Sequence, residues 1–352
     1  MERRAPLPAD AIFRLYSMSK PITSVAIMIL VEDGRLSLDD PVRRFLPALS
    51  DLRVYASGDV EDMVSVPALR PVTIRDLLTH SSGFTYQFMG NSPVHRYYRR
   101  QGVMRETAVG KQPGDAPPAR NLDELVARLG KAPLLHQPGA RFSYGYSTTV
   151  LGAVIERVSG MRLDRFLRER IFVPLAIRDT SFYVDDARLG RFVTNYTATA
   201  TGIAPIETAE ASEYRDQRRL LDGGGALAGT ARDYLHFAEM IANRGTWHGR
   251  RLLRRATIDE MTKPRLRTGG TGLENTWFGF GFAIGDAKSE AMGGLPRGAL
   301  SWAGSGNTYF FADPAHRMVA LFMTNELTPA GFTGRTETFR TLVDRTALQL
   351  RR

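Results

Sequence analysis

Residues 15–30 read LYSMSKPITSVAIMIL. Ile22, Val25, Ala26, Ile29 and Leu30 fall at the spacing of a buried helix face. Gly34 then offers the left-handed residue that closes a helix. Ser17 and Lys20 stand at the start of this run, three positions apart. On a helical turn such positions share a face, which brings the lysine amine within reach of the serine hydroxyl. A serine is a weak nucleophile until a neighbouring base takes its proton. A helix start also supplies unpaired N–H groups and a positive dipole end, which favour a neutral lysine and a nearby oxyanion. Pro21 fits a first helical turn but biases Lys20 away from helical geometry. With 18 serines and 5 lysines in 352 residues, Ser-x-x-Lys arises by chance in about one such chain in four, so the rest of the sequence must support it.

Further helices are legible along the chain. Thr73 caps a short helix over TIRDLLT. Val150, Leu151, Val154, Ile155 and Val158 form a second apolar stripe, stopped at Ser159-Gly160, and 163–171 follows it. Residues 231–243 and 336–350 complete the set. Strand patterns gather late, at 277–284, 299–302, 308–312 and 318–324, separated by Gly, Asn or Asp-Pro turns. They predict an antiparallel meander with the last helix on one face. Residues 107–121 read as a surface loop rich in Gly and Pro. The predicted organisation is an α/β domain of 1–45 and 215–352, interrupted by a mostly helical insertion of 46–214, with the active site in the cleft between them.

Composition narrows the function. There is no cysteine, which excludes disulfides and thiolate chemistry. No apolar run reaches the roughly 18–20 residues of a membrane span. Residues 1–13 carry no secretory pattern, so the expected location is cytoplasmic. The net charge is +10. Its densest clusters, Arg96–Arg100 and Arg250–Arg255, come with no nucleic-acid motif and read as solvated surface. None of the six histidines has ligand spacing, so neither a metal nor a cofactor is expected. No G-x-S-x-G occurs, which argues against a nucleophile elbow.

Three other stretches carry chemistry. FSYGYSTTVLG (142–152) sets Tyr144 and Tyr146 at the mouth of an apolar helix, and a tyrosine in a positive field ionises more easily and can act as a base. SWAGSGNTYFFADP (301–314) has Gly304 and Gly306 beside a strand, where the chain can approach another backbone closely. The N–H of Ser305 would pair with that of Ser17 as an oxyanion hole. GGGALAG (223–229) reads as a structural turn near a cleft, and His80 in LLTHSSGF as a turn residue rather than a base.

Taken in order, these segments resemble the serine β-lactamase-like superfamily (the class C β-lactamase and penicillin-binding-protein fold), and most of all the family VIII carboxylesterases. FRLYSMSKPITSVAIM resembles the nucleophile segment, PVTIRDLLTHSSGFTYQF the helix-and-turn signature, FSYGYSTTVLGAVIERVSG the tyrosine segment, GGGALAGTARDYLHFAEMIANRG the glycine turn with its helix, and SWAGSGNTYFFADP the third motif. The likeness spans residues 11–350. It implies Ser17 as nucleophile and Lys20 as its base partner. Tyr144 would be the second base, since the family's tyrosine stands eight or nine residues before the glycine matched by Gly152; Tyr146 is the rival. Trp302 takes the place of a β-lactamase lysine, and with Gly304 and Tyr146 would contact substrate. The family also carries several dozen residues before its nucleophile, including two strands of the main sheet. Either the start is misassigned, the chain is a fragment, or the sheet is reduced, and a sheet lacking those strands would expose an edge.

The resemblance implies a serine carboxylesterase acting on a small-molecule, short-acyl ester through an acyl-enzyme, with no cofactor. The alternatives are an acyltransferase or a β-lactamase/D-Ala peptidase on the same scaffold, or a truncated homologue that binds without turnover. The sequence sets no oligomeric state.

Overall fold

The computed structural model describes residues 6–104, 112–199, 202–269, 276–328 and 333–350. Four helices and eight strands position the site. The helices are α1 (Ser19–Glu32), α2 (Ser147–Ser159), α3 (Ala231–Ala242) and α4 (Gly334–Leu350). The strands are β1 (Ile12–Arg14), β2 (Ala228–Thr230), β3 (Leu266–Arg267), β4 (Trp277–Phe278), β5 (Ala283–Ile284), β6 (Leu300–Gly304), β7 (Thr308–Asp313) and β8 (Met318–Phe322).

The strands β8-β7-β6-β5-β4-β3 form one sheet in that order, antiparallel throughout. Every residue of β7 is buried, because helices cover both of its faces. The two-residue side-chain period divides them. Tyr309 and its cross-strand partner Phe322 meet Phe339 of α4, whereas Phe310 meets Tyr234 of α3. Among the described residues, β8 pairs on one side only.

The expected strand at 277–284 is a tight hairpin instead, β4 and β5 joined through Gly279–Gly281. Gly281 has φ +93°, and a Cβ there would lie 2.5 Å from Ser24 Oγ, so the hairpin turn presses against α1. Beyond the predicted elements, β1 pairs antiparallel with β2, and Ile12 bridges Phe192. Residues 195–199 and 202–207 form a hairpin that pairs in parallel with Glu326–Leu327. The loop expected at 107–121 lies outside the described residues up to 111, and 112–121 has neither helix nor strand.

Helix α1 departs from the amphipathic expectation in one respect: residues 19–30 are all buried, not one stripe. It sits inside a single apolar cluster that includes Val25, Leu125, Val150, Phe237 and Phe310. A helix apolar or small on every side is buried on every side. Pro21 is accommodated in the first turn, where its missing N–H has no helical partner to lose.

Candidate active site

Ser17 lies in a 3-10 turn, Tyr16–Met18, that runs directly into α1. Tyr16 has φ +47°, a region that L side chains rarely adopt. Its surroundings hold it there. The Tyr16 hydroxyl accepts a hydrogen bond from Asn195 Nδ2 at 2.6 Å, and a Cβ on Gly306 would strike its ring at 2.8 Å. Burial pushes the phenol above its usual range, so it stays neutral. The turn is also tied to the residue before β2 and to α3: Leu15 N–H donates to the Leu227 carbonyl, Leu227 N–H donates to Ser19 Oγ, and the hydroxyl of Tyr234 in α3 donates to the Met18 carbonyl.

Lys20 follows in the first turn of α1 and is 1% exposed. Its Nζ donates to Ser17 Oγ at 3.1 Å and to the Gly224 carbonyl at 2.5 Å. The glycine turn is thus part of the site. A Cβ on Gly224 would meet Thr149 Oγ1, Asp222 Oδ1 and the Tyr86 hydroxyl, all within 3.1 Å. Asp222 shapes the turn by accepting from Gly224 N–H and from Thr149 Oγ1. Thr23, one turn along α1, donates to the Gly223 carbonyl at 2.8 Å.

The two tyrosines separate clearly. Lys20 Nζ lies 4.6 Å from the Tyr144 ring centre and 5.2 Å from that of Tyr86. Tyr146 is 1% exposed, and its hydroxyl donates to Gln87 Oε1 at 2.7 Å. Tyr86 has no counterpart among the predicted site residues, nor does Gly224. The close approach required of Gly224 could have been suspected from three consecutive glycines.

The third segment closes the site from the sheet. Gly304 ends β6, and a Cβ there would lie 2.4 Å from the Leu15 carbonyl oxygen and 3.2 Å from Tyr16 Cβ. Only glycine lets the strand end meet the turn that carries Ser17. Ser305, the next residue, is exposed. Trp302 is buried against Tyr144, with ring centres 5.6 Å apart, and its indole N–H finds no acceptor among the described residues.

His80 has φ +54° and is a turn residue as expected, but it is also a neighbour of the site, with its ring centre 4.9 Å from that of Tyr144. Burial first, then the Lys20 charge, push it well below the ordinary imidazole range. It is therefore neutral at physiological pH. Among the described residues, no group of three or more His, Asp and Glu side chains is placed to hold a metal ion, and no helix is long and apolar enough to cross a membrane.

The family model described as Beta-lactamase matches residues 1–345. The chain belongs to the beta-lactamase family. Esterase EstB of Burkholderia gladioli is 30% identical over 351 residues, covering 92% of this chain and 80% of that protein. Acyltransferase calJ of Penicillium decumbens is 28% identical over 348 residues, covering 92% and 77%. The solved structure of EstCE1, described as a hydrolase with promiscuous acyltransferase activity, superposes with a TM-score of 0.77 at 28% identity over 97% of this chain and 86% of that one. The chain is thus a beta-lactamase-fold protein with esterase and acyltransferase relatives.

Proposed function

We propose that the chain is a serine carboxylesterase that forms an acyl-enzyme on Ser17. The observation that carries this reading is the 3.1 Å contact between a buried lysine amine and a partly exposed serine hydroxyl. Residues 1–45 with 215–352 would form one wall of the cleft and residues 46–214 the other.

In the first half-reaction Ser17 Oγ attacks the ester carbonyl carbon while its proton passes to Lys20 Nζ. The carbonyl oxygen becomes an oxyanion held by the N–H groups of Ser17 and Ser305. The bond from carbon to the alcohol oxygen then breaks, and Tyr144 delivers the proton to that oxygen, recharged by Lys20. In the second half, water attacks the acyl carbon and gives its proton to the Tyr144–Lys20 pair. The bond to Ser17 Oγ breaks, the serine recovers a proton, and the acid leaves. No metal or cofactor enters this scheme. Gly304 and Trp302 would contact substrate, and a substrate oxygen would give the Trp302 indole the acceptor it lacks. Tyr146, bonded to Gln87, would shape the wall behind Tyr86.

Acyl transfer is the second reading, favoured by what calJ and EstCE1 are described as doing. An alcohol in place of water at the second step gives an ester product. Incubation with an activated short-acyl ester and added alcohol, followed by product analysis, separates the two.

The primary test is fluorophosphonate labelling with peptide mapping, alongside Ser17→Ala. A single adduct on Ser17 is expected, together with loss of at least a thousandfold in butyrate ester hydrolysis at an unchanged thermal midpoint. An adduct elsewhere, or an active Ser17→Ala variant, rejects the assignment.

A further inference from the structure

Among the described residues, Phe88 is the one aromatic in the set of large apolar side chains left exposed, at 37%. Its ring lies flat on Tyr86, with centres 4.9 Å apart and planes at 12°. Tyr86 meets Tyr144 edge to face at 5.5 Å, and Tyr144 leans on Trp302, which packs against Phe278 at 5.0 Å. A continuous row of rings therefore runs from solvent at Phe88 to the residues beside Lys20. The segment that carries Phe88 is fixed. Residues 84–87 are buried, Gln87 is bonded to Tyr146, and Met89 N–H closes a turn onto the Tyr86 carbonyl. An exposed aromatic held rigidly beside a site has its desolvation and ordering largely settled before a ligand arrives.

We infer that this row binds the alcohol arm of the substrate, and that the preferred esters are those whose alcohol ends in a planar aromatic ring, stacked on the outer face of Phe88. This rests on the ester-cleaving reading above. The direction follows from the proton path: Tyr144 protonates the departing oxygen, so the alcohol fragment leaves along Tyr144, and the next rings outward are Tyr86 and Phe88. A flat ring gains from offset stacking on an aromatic face, whereas a saturated ring of the same size gains only burial. Phe88 is thus a specificity residue that leaves the reacting atoms untouched.

The test uses three butyrate esters, of ethanol, 4-phenylbutanol and 4-cyclohexylbutanol, with the wild-type chain, Phe88→Ala, Phe88→Tyr and Ser17→Ala. The wild type should favour the phenyl over the cyclohexyl ester by about fivefold in kcat/KM. Phe88→Ala should erase that ratio through KM with ethyl butyrate turnover unchanged, and Phe88→Tyr should keep it. A ratio near one in the wild type, or a ratio that survives Phe88→Ala, overturns the inference alone. Absence of Ser17-dependent turnover of all three esters rejects the ester reading, and the inference with it.

Discussion

Tyr144 and Tyr146 are two residues apart and share a residue type, yet their surroundings differ, and the proposed relay gives them different work. Tyr144 faces the Lys20 amine, while Tyr146 is sealed under Tyr86 with its hydroxyl committed to Gln87. Tyr144→Phe should therefore lower kcat for ester hydrolysis by at least a hundredfold with little change in stability. Tyr146→Phe should leave kcat within a few fold and cost about 1–3 kcal/mol of stability, because Gln87 Oε1 loses its donor in a buried site. Initial rates and denaturant midpoints of the two variants check both statements, and the reverse ranking would move the proton relay to Tyr146. The preference for Tyr144 was legible beforehand only through its spacing from Gly152, which the resemblance made meaningful. Tyr16 and Tyr86 were not legible, and for Gly224 the three consecutive glycines announce a tight turn but not the contact with Lys20. Their roles come from a strained φ, a ring contact and a carbonyl direction, none of which is encoded by a local pattern.

At the scale of elements, helix ends and apolar stripes were read well because caps and periodicity are local. Thr73 makes the capping box with Asp76, and Gly160 takes the left-handed cap of α2 with φ +72°. Strands were harder where partners are distant: β1 pairs with β2, more than two hundred residues away, and its three residues carry no usable period. Helix α4 carries a buried feature that no pattern announces. Asp344 is 5% exposed, one of its carboxylate oxygens has no hydrogen-bond partner among the described residues, and burial, partly offset by Arg340, raises its pKa to about 7. Between the unfolded value near 4 and about 7, the folded state binds more protons than the unfolded one, so stability falls as pH rises through that window. Asp344→Asn should therefore raise the thermal midpoint by several degrees at pH 8, with the gain vanishing near pH 4. Melting curves of both proteins across that range measure it, and an equal shift at both ends would contradict the buried charge.

At the scale of the whole molecule, the positive charge is dispersed by pairing. In the cluster Arg96–Arg100, Arg96 meets Asp59, Arg99 meets Asp115 and Arg100 meets Glu61. Most of these pairs are exposed and add little stability, but they leave no bare basic stripe there. The apolar interior is shared. One cluster joins Val25 of α1, Leu125 and Val150 from the 46–214 segment, and Phe310 of the sheet. Thermal unfolding should accordingly be one transition, with near-UV circular dichroism and loss of ester hydrolysis falling together; two separated transitions would show that the 46–214 segment melts alone. The sequence by itself determined the places of α1 to α4, the β6-β7-β8 meander, and the closeness of Ser17 and Lys20 in the chain turn that opens α1, because capping, periodicity and i,i+3 geometry are short-range. Only the tertiary structure decided which tyrosine faces the lysine, which carbonyl holds its amine, and why Gly304 must be glycine. Those depend on segments 127 to 287 residues apart arriving within ångströms of one turn, and close approach is a property of packing rather than of any stretch of chain.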